Sequence, residues 1–377
     1  MLIRNASIYD HRSRRFFDGD ILIKDGKIAA VGAFDIPDGE TEIIDAIGRP
    51  VVSGFRAIHT PDRAGFDFVN ENADLSKMAA AYAAHGVTSV MPTLASAPLS
   101  DMTSAARKIN TFSPKENEAN FVGVHFEGRW LNPSKKGAHA LELLAPLNKE
   151  DLEDEVFRMC PSLHISAAFE LDPDGEFAKK ALSLGATLAL GHTAATFEEA
   201  KEAEKNGVTA YTHLFNAMPP LHHRDGGPVC AAFDGNAFAE LICDGIHISP
   251  EMVRFAYRNL GSERLVLISD SMEATGMPDG DYAIAGNPVK VKDGKALTPE
   301  GALAGSTLSL DTALKNLMKF AGISLAEALP CVTVNPAREV GAFDTVGSIE
   351  VGKQADILIL SSEDEPNIEQ IILRGNA

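Results

Sequence analysis

Seven residues with metal-binding or acid–base side chains close short apolar runs: His59, Glu127, Glu170, His192, His213, Asp244 and Asp270. A run that merely enters a loop more often ends in Gly, Asn, Ser or Pro. Any one of the seven, alone, reads as a solvated or hydrogen-bonded residue. Together, on strands whose ends share one mouth, they point to metal or acid–base chemistry. His192 and His213 lie 21 residues apart with one helical segment between them. Adjacent parallel strands would hold both imidazoles at one height. With a carboxylate such as Glu127 they make three ligands and leave one coordination position open, as catalytic zinc requires. Two hydrogen-bonded core histidines are the rival reading. Asp270 closes RLVLISD, which has no other ionisable group after Arg264. A carboxylate there needs a charged partner or a catalytic task. Beside an activated water it suits a general base; a helix-capping Asp is the alternative. The loop THLFNAMPPLHHRDGG (212–227) brings Asn216 and Arg224 to the same mouth and suits a polar or anionic substrate. His222 and His223 fit a solvated loop.

The elements that would position these groups are legible as a pattern. Apolar runs at 51–59, 87–93, 121–127, 164–170, 186–192, 208–214, 239–245 and 264–270 look like parallel strands buried on both faces. Helical segments between them end at Gly86, Gly185, Gly207 and Gly261, where left-handed C-caps belong. Thr196 with Glu199 makes a capping box, and Ser249 or Pro250 starts another helix. Eight strands with helical crossovers predict a (β/α)₈ barrel, whose chemistry gathers at the C-terminal strand ends. A doubly wound sheet is the rival, but no Gly-rich phosphate fingerprint follows the first strand. Residues 1–52 and 341–377 instead alternate apolar and polar residues, with Asp25-Gly26 as a hairpin turn. They predict a small β-sandwich built from both chain ends, flanking a catalytic barrel over 53–340.

Composition narrows the function classes. Across 377 residues, 34 Lys and Arg face 53 Asp and Glu, a formal charge of −19. That balance argues against a nucleic-acid binder, which needs a basic face. It leaves an anionic substrate open, because metal, Arg and helix N-termini can make a pocket locally positive. No run of about 18 apolar residues suggests a membrane span, and the N-terminus has no signal-like apolar core. The four cysteines, without CxxC spacing, fit a reducing, cytoplasmic setting.

Six motifs carry a resemblance: HFEGRWLNPSKKGAH (125–139), LGHTAATFEEA (190–200), THLFNAM (212–218), CDGIHIS (243–249), LISDSMEATG (267–276) and LAGSTLSL (303–310). Together they resemble N-acetylglucosamine-6-phosphate deacetylase, of the amidohydrolase superfamily. The tail GSIEVGKQADILIL (347–360) is similar to that superfamily's closing strands. The resemblance covers nearly the whole chain. It implies a deformed barrel with a terminal β-sandwich, and hydrolysis of the acetamide to glucosamine 6-phosphate and acetate. It implies one divalent metal per chain on Glu127, His192 and His213, with zinc expected and iron, manganese or cobalt as alternatives. Asp270 would be general base and then general acid. Asn216, Ala217 and Arg224 would bind phosphate, and His247 the sugar. His139, with the Ala138 backbone, would meet the acetamide, and Leu303, Ala304 and Gly305 would line the acetyl end. The partners implied are an amino-sugar phosphate and a second copy of the chain as homodimer. Rival activities are deacetylation of N-acetylgalactosamine 6-phosphate, hydrolysis of a cyclic amide such as a dihydropyrimidine, and non-catalytic sugar-phosphate binding.

The first strand departs from the superfamily pattern, in which GFIDxHxH places two histidines on a second metal. Here GFRAIHTPD (54–62) keeps His59 but puts Pro61 in the second histidine position and Ala57 in place of Asp. Pro61 has no donor, so a single-metal site is expected. Arg129 replaces the usual proline of EGPW, two residues from a ligand.

Overall fold

The computed structural model describes residues 1–34, 42–284 and 287–377. Eight strand positions build the barrel. Phe55–Ala57 pairs in parallel with Val87–Val90. This second strand resumes after Pro92 as Thr93–Ala95, which pairs with Val124–Glu127. Parallel pairing then runs through Leu163–Ala167, Thr187–Leu190, Val208–Tyr211, Phe238–Ile242 and Leu265–Ile268. The ring closes at its rim, where the Asp270 N–H donates to the His59 carbonyl at 3.2 Å. Interior-facing and helix-facing side chains are both buried, which explains the unbroken apolar runs.

Helices cover the outside, and their ends follow the sequence signals. Thr196 caps Phe197–Lys205 with the reciprocal Glu199 bond of a capping box. Ser249 precedes Pro250–Arg264, where Gly261, at φ 70°, breaks the helical path before the last residues. Among the described residues, no single helix is long and apolar enough to cross a membrane. One bent pair from Leu310–Ala321 onward passes by composition, but its apolar face (Leu310, Leu314, Leu317) lies in the core.

Two strand expectations change in detail. The run 51–59 is not one strand. Pro50–Ser53 belongs to the terminal sheet, and the chain changes sheets at Gly54, whose Cα faces the Thr88 side chain too closely for any Cβ. The run 164–170 ends as a strand at Ala167, and Phe169–Leu171 turns into a short 3₁₀ helix.

Both chain ends meet in one mixed seven-stranded sheet. Its order is Ile368–Ile372, Ile357–Leu360, Pro50–Ser53, Leu2–Asp10, Arg15–Lys24, Lys27–Gly32, with Ile43–Asp45 also on Leu2–Asp10. Asp25 and Gly26, both at positive φ, make the expected hairpin turn. Pairing runs unbroken across this sheet, so the layers expected of a sandwich share one hydrogen-bonded surface. Ile3, Ile8, Ile21, Ile357, Ile359 and Ile372 form its own core. Residues 35–41 of the expected N-terminal segment lie outside the described residues. A three-stranded antiparallel sheet, Gly280–Ile284, Asn287–Lys292 and Lys295–Leu297, follows the eighth barrel strand. The alternating pattern was not expected inside the barrel segment, and this sheet overhangs the mouth.

Candidate active site

The strand ends converge as their spacing predicts. Glu127 ends the third strand and lies at the centre. Its Oε1 is 3.0 Å from His213 Nε2 and 3.4 Å from His192 Nε2, while Oε2 is 3.0 Å from His59 Nε2. The two Nε2 atoms of His192 and His213 are 3.0 Å apart. His192, His213 and Asp270 all adopt positive φ, a conformation costly for residues with a Cβ and concentrated at functional sites. Gly128, directly after Glu127, runs against the Ser96 backbone, where a Cβ would sit 2.4 Å from the Ser96 nitrogen.

These groups fit a divalent metal. The Nδ1–H of His192 donates to the Lys135 carbonyl at 2.8 Å, which leaves the Nε2 lone pair facing Glu127 and His213. Two imidazole nitrogens and a carboxylate oxygen pointing at one another need a shared cation or proton. Gly137 permits this packing, since at φ 55° its loop passes so close that a Cβ would meet the His192 ring at 3.0 Å. Burial alone would raise the Glu127 pKa. The neighbouring imidazoles outweigh it and hold the carboxyl well below its ordinary range.

Asp270 faces the same space from the eighth strand. Its Oδ1 is 3.5 Å from His59 Nε2. Burial pushes its pKa up, the hydrogen bond and charge of His59 pull it down, and the net direction is down. The group is therefore a carboxylate at neutral pH, as a base must be. His59 spans two carboxylates, with Nδ1 at 2.9 Å from Glu240 and Nε2 toward Glu127. Burial disfavours its charged form, but Glu127 and Glu240 hold its pKa well above the usual value. His59, Glu127 and Asp270 also form a group with metal-ligand spacing.

His139 is tied from behind. Ser96 Oγ, which accepts from the Arg129 N–H at 3.0 Å, has its own proton free for His139 Nδ1 at 2.8 Å. That leaves Nε2 as the N–H directed at the cavity. Burial pushes this imidazole down to about 3, so it donates as a neutral ring. His247 is held likewise, its Nδ1 2.7 Å from Asp244.

A cavity of about 270 Å³ opens above these groups. Glu127, Ala138, His139, His192, His213, Asn216, Ala217, His247, Asp270, Leu303 and Gly305 are among the residues that line it. Two expected residues stand elsewhere. Ala304 turns its methyl group into the cluster of Met272, Ile284 and Val289, so its neighbours Leu303 and Gly305 carry the wall. Arg224 is exposed on its loop, 2.6 Å from His223 Nε2, outside the cavity lining. Arg129 also stays out, its Nε 3.8 Å from Asp151. Two strand-end candidates are scaffolding. Glu170 accepts from Asn132, Thr193 and the Ala194 N–H, and Asp244 orients His247. Ser96, Glu240 and the Lys135 carbonyl were missed. Glu240 lies inside its strand, Lys135 in a short 3₁₀ helix, and Ser96 directly after the second strand's last residue, Ala95, as an ordinary hydroxyl; only the folded packing joins them to the site. Ile284, from the overhanging sheet, also reaches the lining.

The Amidohydrolase family model matches residues 70–377. The chain is 34% identical to N-acetylgalactosamine-6-phosphate deacetylase of Escherichia coli O157:H7, over 95% of this chain and 94% of that one. It is 32% identical to N-acetylglucosamine-6-phosphate deacetylase of Lysinibacillus sphaericus, over 96% and 93%. The crystal structure of N-acetylglucosamine-6-phosphate deacetylase from Thermotoga maritima superposes with a TM-score of 0.87 at 32% identity, covering 100% of this chain and 99% of that one. The motifs, the barrel mouth and these likenesses agree: the chain belongs to the amidohydrolase family and, within it, to the N-acetylglucosamine-6-phosphate deacetylases.

Proposed function

We propose that the chain hydrolyses the acetamide of N-acetylglucosamine 6-phosphate, releasing acetate and glucosamine 6-phosphate. The observation that carries this reading is the meeting of Glu127, His192 and His213 at the floor of one cavity, with Asp270 and His139 facing it from two sides. Glu127, His192 and His213 would hold one divalent ion, with zinc favoured by the His₂Glu donor set. Such an ion lowers the pKa of water from about 15.7 toward 7 and polarises the amide carbonyl.

The remaining steps belong to side chains. Asp270 takes the proton from the attacking water and returns it to the nitrogen as the C–N bond breaks, so the amine leaves neutral. His139 donates its Nε2–H to the oxygen that gains charge, the kind of contact worth ~10²–10³ in rate. Leu303, Gly305 and Ala95 give the acetyl methyl an apolar wall. His247, fixed by Asp244, is placed for a sugar hydroxyl. The 213–217 turn holds His213, Phe215 and Ala217 at positive φ; the N–H groups of His213, Leu214 and Asn216 donate within the protein, so those of Phe215 and Ala217 are the ones that would serve an anion. Phosphate bound at Asn216 and Ala217 would draw in Arg224 from the rim. The same reading includes a cytoplasmic homodimer, which sedimentation of the purified chain tests.

A second substrate has a specific observation behind it, the 34% identity to a galactosamine-type relative. The two sugars differ at C4 alone. Acetate release from both phosphates by zinc-loaded protein decides between them. The proposal expects a higher kcat/KM for the glucosamine-type substrate, and preference for the 4-epimer would replace it. Acetate from neither would leave a sugar-phosphate binder.

A further inference from the structure

A second group of metal-binding side chains lies inside the barrel, outside the cavity lining. His164 is the second residue of the fourth strand, Glu240 is central in the seventh, and Glu339 ends the helix Val334–Glu339. Their side chains have no solvent exposure. His164 Nε2 is 4.0 Å from Glu240 Oε1 and 3.8 Å from Glu339 Oε1. One ligand atom from each lies within 4.8 Å of the others. Among the described residues, His164 Nε2, Glu240 Oε1 and both Glu339 oxygens have no hydrogen-bond partner. Four such atoms aimed into one buried space is a costly arrangement, because each forfeits its hydration.

The hydrogen bonds around the group assign the donor atoms. Thr187 Oγ1 lies 2.7 Å from His164 Nδ1 and within reach of the Leu163 carbonyl at 3.4 Å. A Thr187 proton given to that carbonyl would make Thr187 the acceptor of the His164 Nδ1–H, the tautomer that metal binding at Nε2 requires. In that tautomer the Nε2 of His164 is a lone pair facing the Glu240 and Glu339 carboxyl groups. A lone pair facing these oxygens needs a cation or a proton between them; burial and the Glu240 charge hold the Glu339 carboxyl well above its ordinary range, so an ion there would displace the Glu339 proton. Glu240 is already committed on its other oxygen, which is 2.9 Å from His59 Nδ1.

We propose that His164, Glu240 and Glu339 bind a second divalent cation, enclosed in the barrel beneath the mouth and structural rather than catalytic. A first-row ion bonded at about 2.0–2.2 Å to nitrogen and oxygen places such atoms roughly 3–4 Å apart, the spacing of this group. The cation takes the place of a proton on the buried Glu339 carboxyl and, through Glu240, fixes the ring of His59. Because the site is closed, the ion enters as the chain folds and resists removal afterwards.

The test is metal content per chain of full-length protein expressed with zinc supplementation and then dialysed against a chelator that strips the mouth. The wild type keeps one equivalent. Glu339→Gln, which preserves shape and removes one charged ligand, keeps none, yet regains its mouth zinc and acetate release on reloading. A zinc-edge anomalous map of wild-type crystals reads the same site without any substitution and shows a peak bonded to His164 Nε2. No zinc retained by the wild type, an anomalous peak at the mouth alone, or full retention by Glu339→Gln would overturn the proposal.

Discussion

Histidines and carboxylates occupy two levels of this barrel, and the levels differ in what surrounds them. At the mouth, Glu127, His192, His213 and Asp270 border an open cavity, so their unused valences face a place where water and substrate can come. One level down, His125, His164, Glu240 and Glu339 are closed in. There, His125 is satisfied by hydroxyls, Thr93 at 3.0 Å and Ser166 at 2.8 Å, and is held neutral by burial. His59 joins the levels, with one nitrogen toward Glu240 and the other toward Glu127 and Asp270. The same residue types therefore do chemistry or hold structure according to access alone. The mouth should lose activity when altered, and the lower level should lose stability.

Four substitutions sharpen or break that division. The largest effect belongs to His192→Ala, which removes a ligand whose Nε2 faces Glu127. Turnover should fall below detection and the mouth ion should be lost, read by acetate release and metal content. Retained activity would mean that His139, which groups with Glu127 at ligand spacing, takes its place. Next comes Glu240→Ala, on the lower level. It leaves His59 without one of its carboxylates and should cost about 3–5 kcal/mol of stability, the usual penalty for breaking a buried pair. Denaturant unfolding measures it, and an unchanged midpoint would erase the distinction between levels.

His139→Ala should lower kcat by ~10²–10³ with the metal retained, since it removes one donor to the developing oxyanion. Steady-state kinetics alongside metal analysis checks it, and a rise in KM alone would make His139 a binding residue. The smallest effect is expected from Arg224→Ala. A charged hydrogen bond to phosphate is worth about 1.5–3 kcal/mol, or ~10–100-fold in KM. The loss should appear with the phosphorylated sugar and not with N-acetylglucosamine. Equal losses on both substrates would leave Arg224 at the rim, where the structure places it.

The two levels also differ in how readily the sequence discloses them. The eight strands were legible because parallel strands buried on both faces leave continuous apolar runs. Glu127, His192, His213 and Asp270 were legible because each interrupts such a run where a barrel strand ends. Glu240 offers no such mark, being a lone acid amid AELI, and Glu339 reads as an ordinary helix residue until the helix is packed beneath the barrel. Burial of those charges is a property of closure, which no local pattern carries. Ser96 and the Lys135 carbonyl were hidden for the same reason, as they act only through the rings they orient. Arg224 is the opposite case. Its place in a loop after the sixth strand is legible, but a loop position does not fix where an exposed side chain points.

The central claim is that Asp270 is the base at a site whose ion rests on Glu127, His192 and His213. Its most direct test is the rate of acetate release from N-acetylglucosamine 6-phosphate by zinc-loaded wild type and Asp270→Asn at equal mouth zinc content. Asn keeps the shape and cannot accept the proton. The account predicts robust turnover by the wild type and at least a ~10²-fold fall in kcat for the variant, the low end of general-base contributions. Near-normal kcat in Asp270→Asn, with its zinc in place, would contradict it.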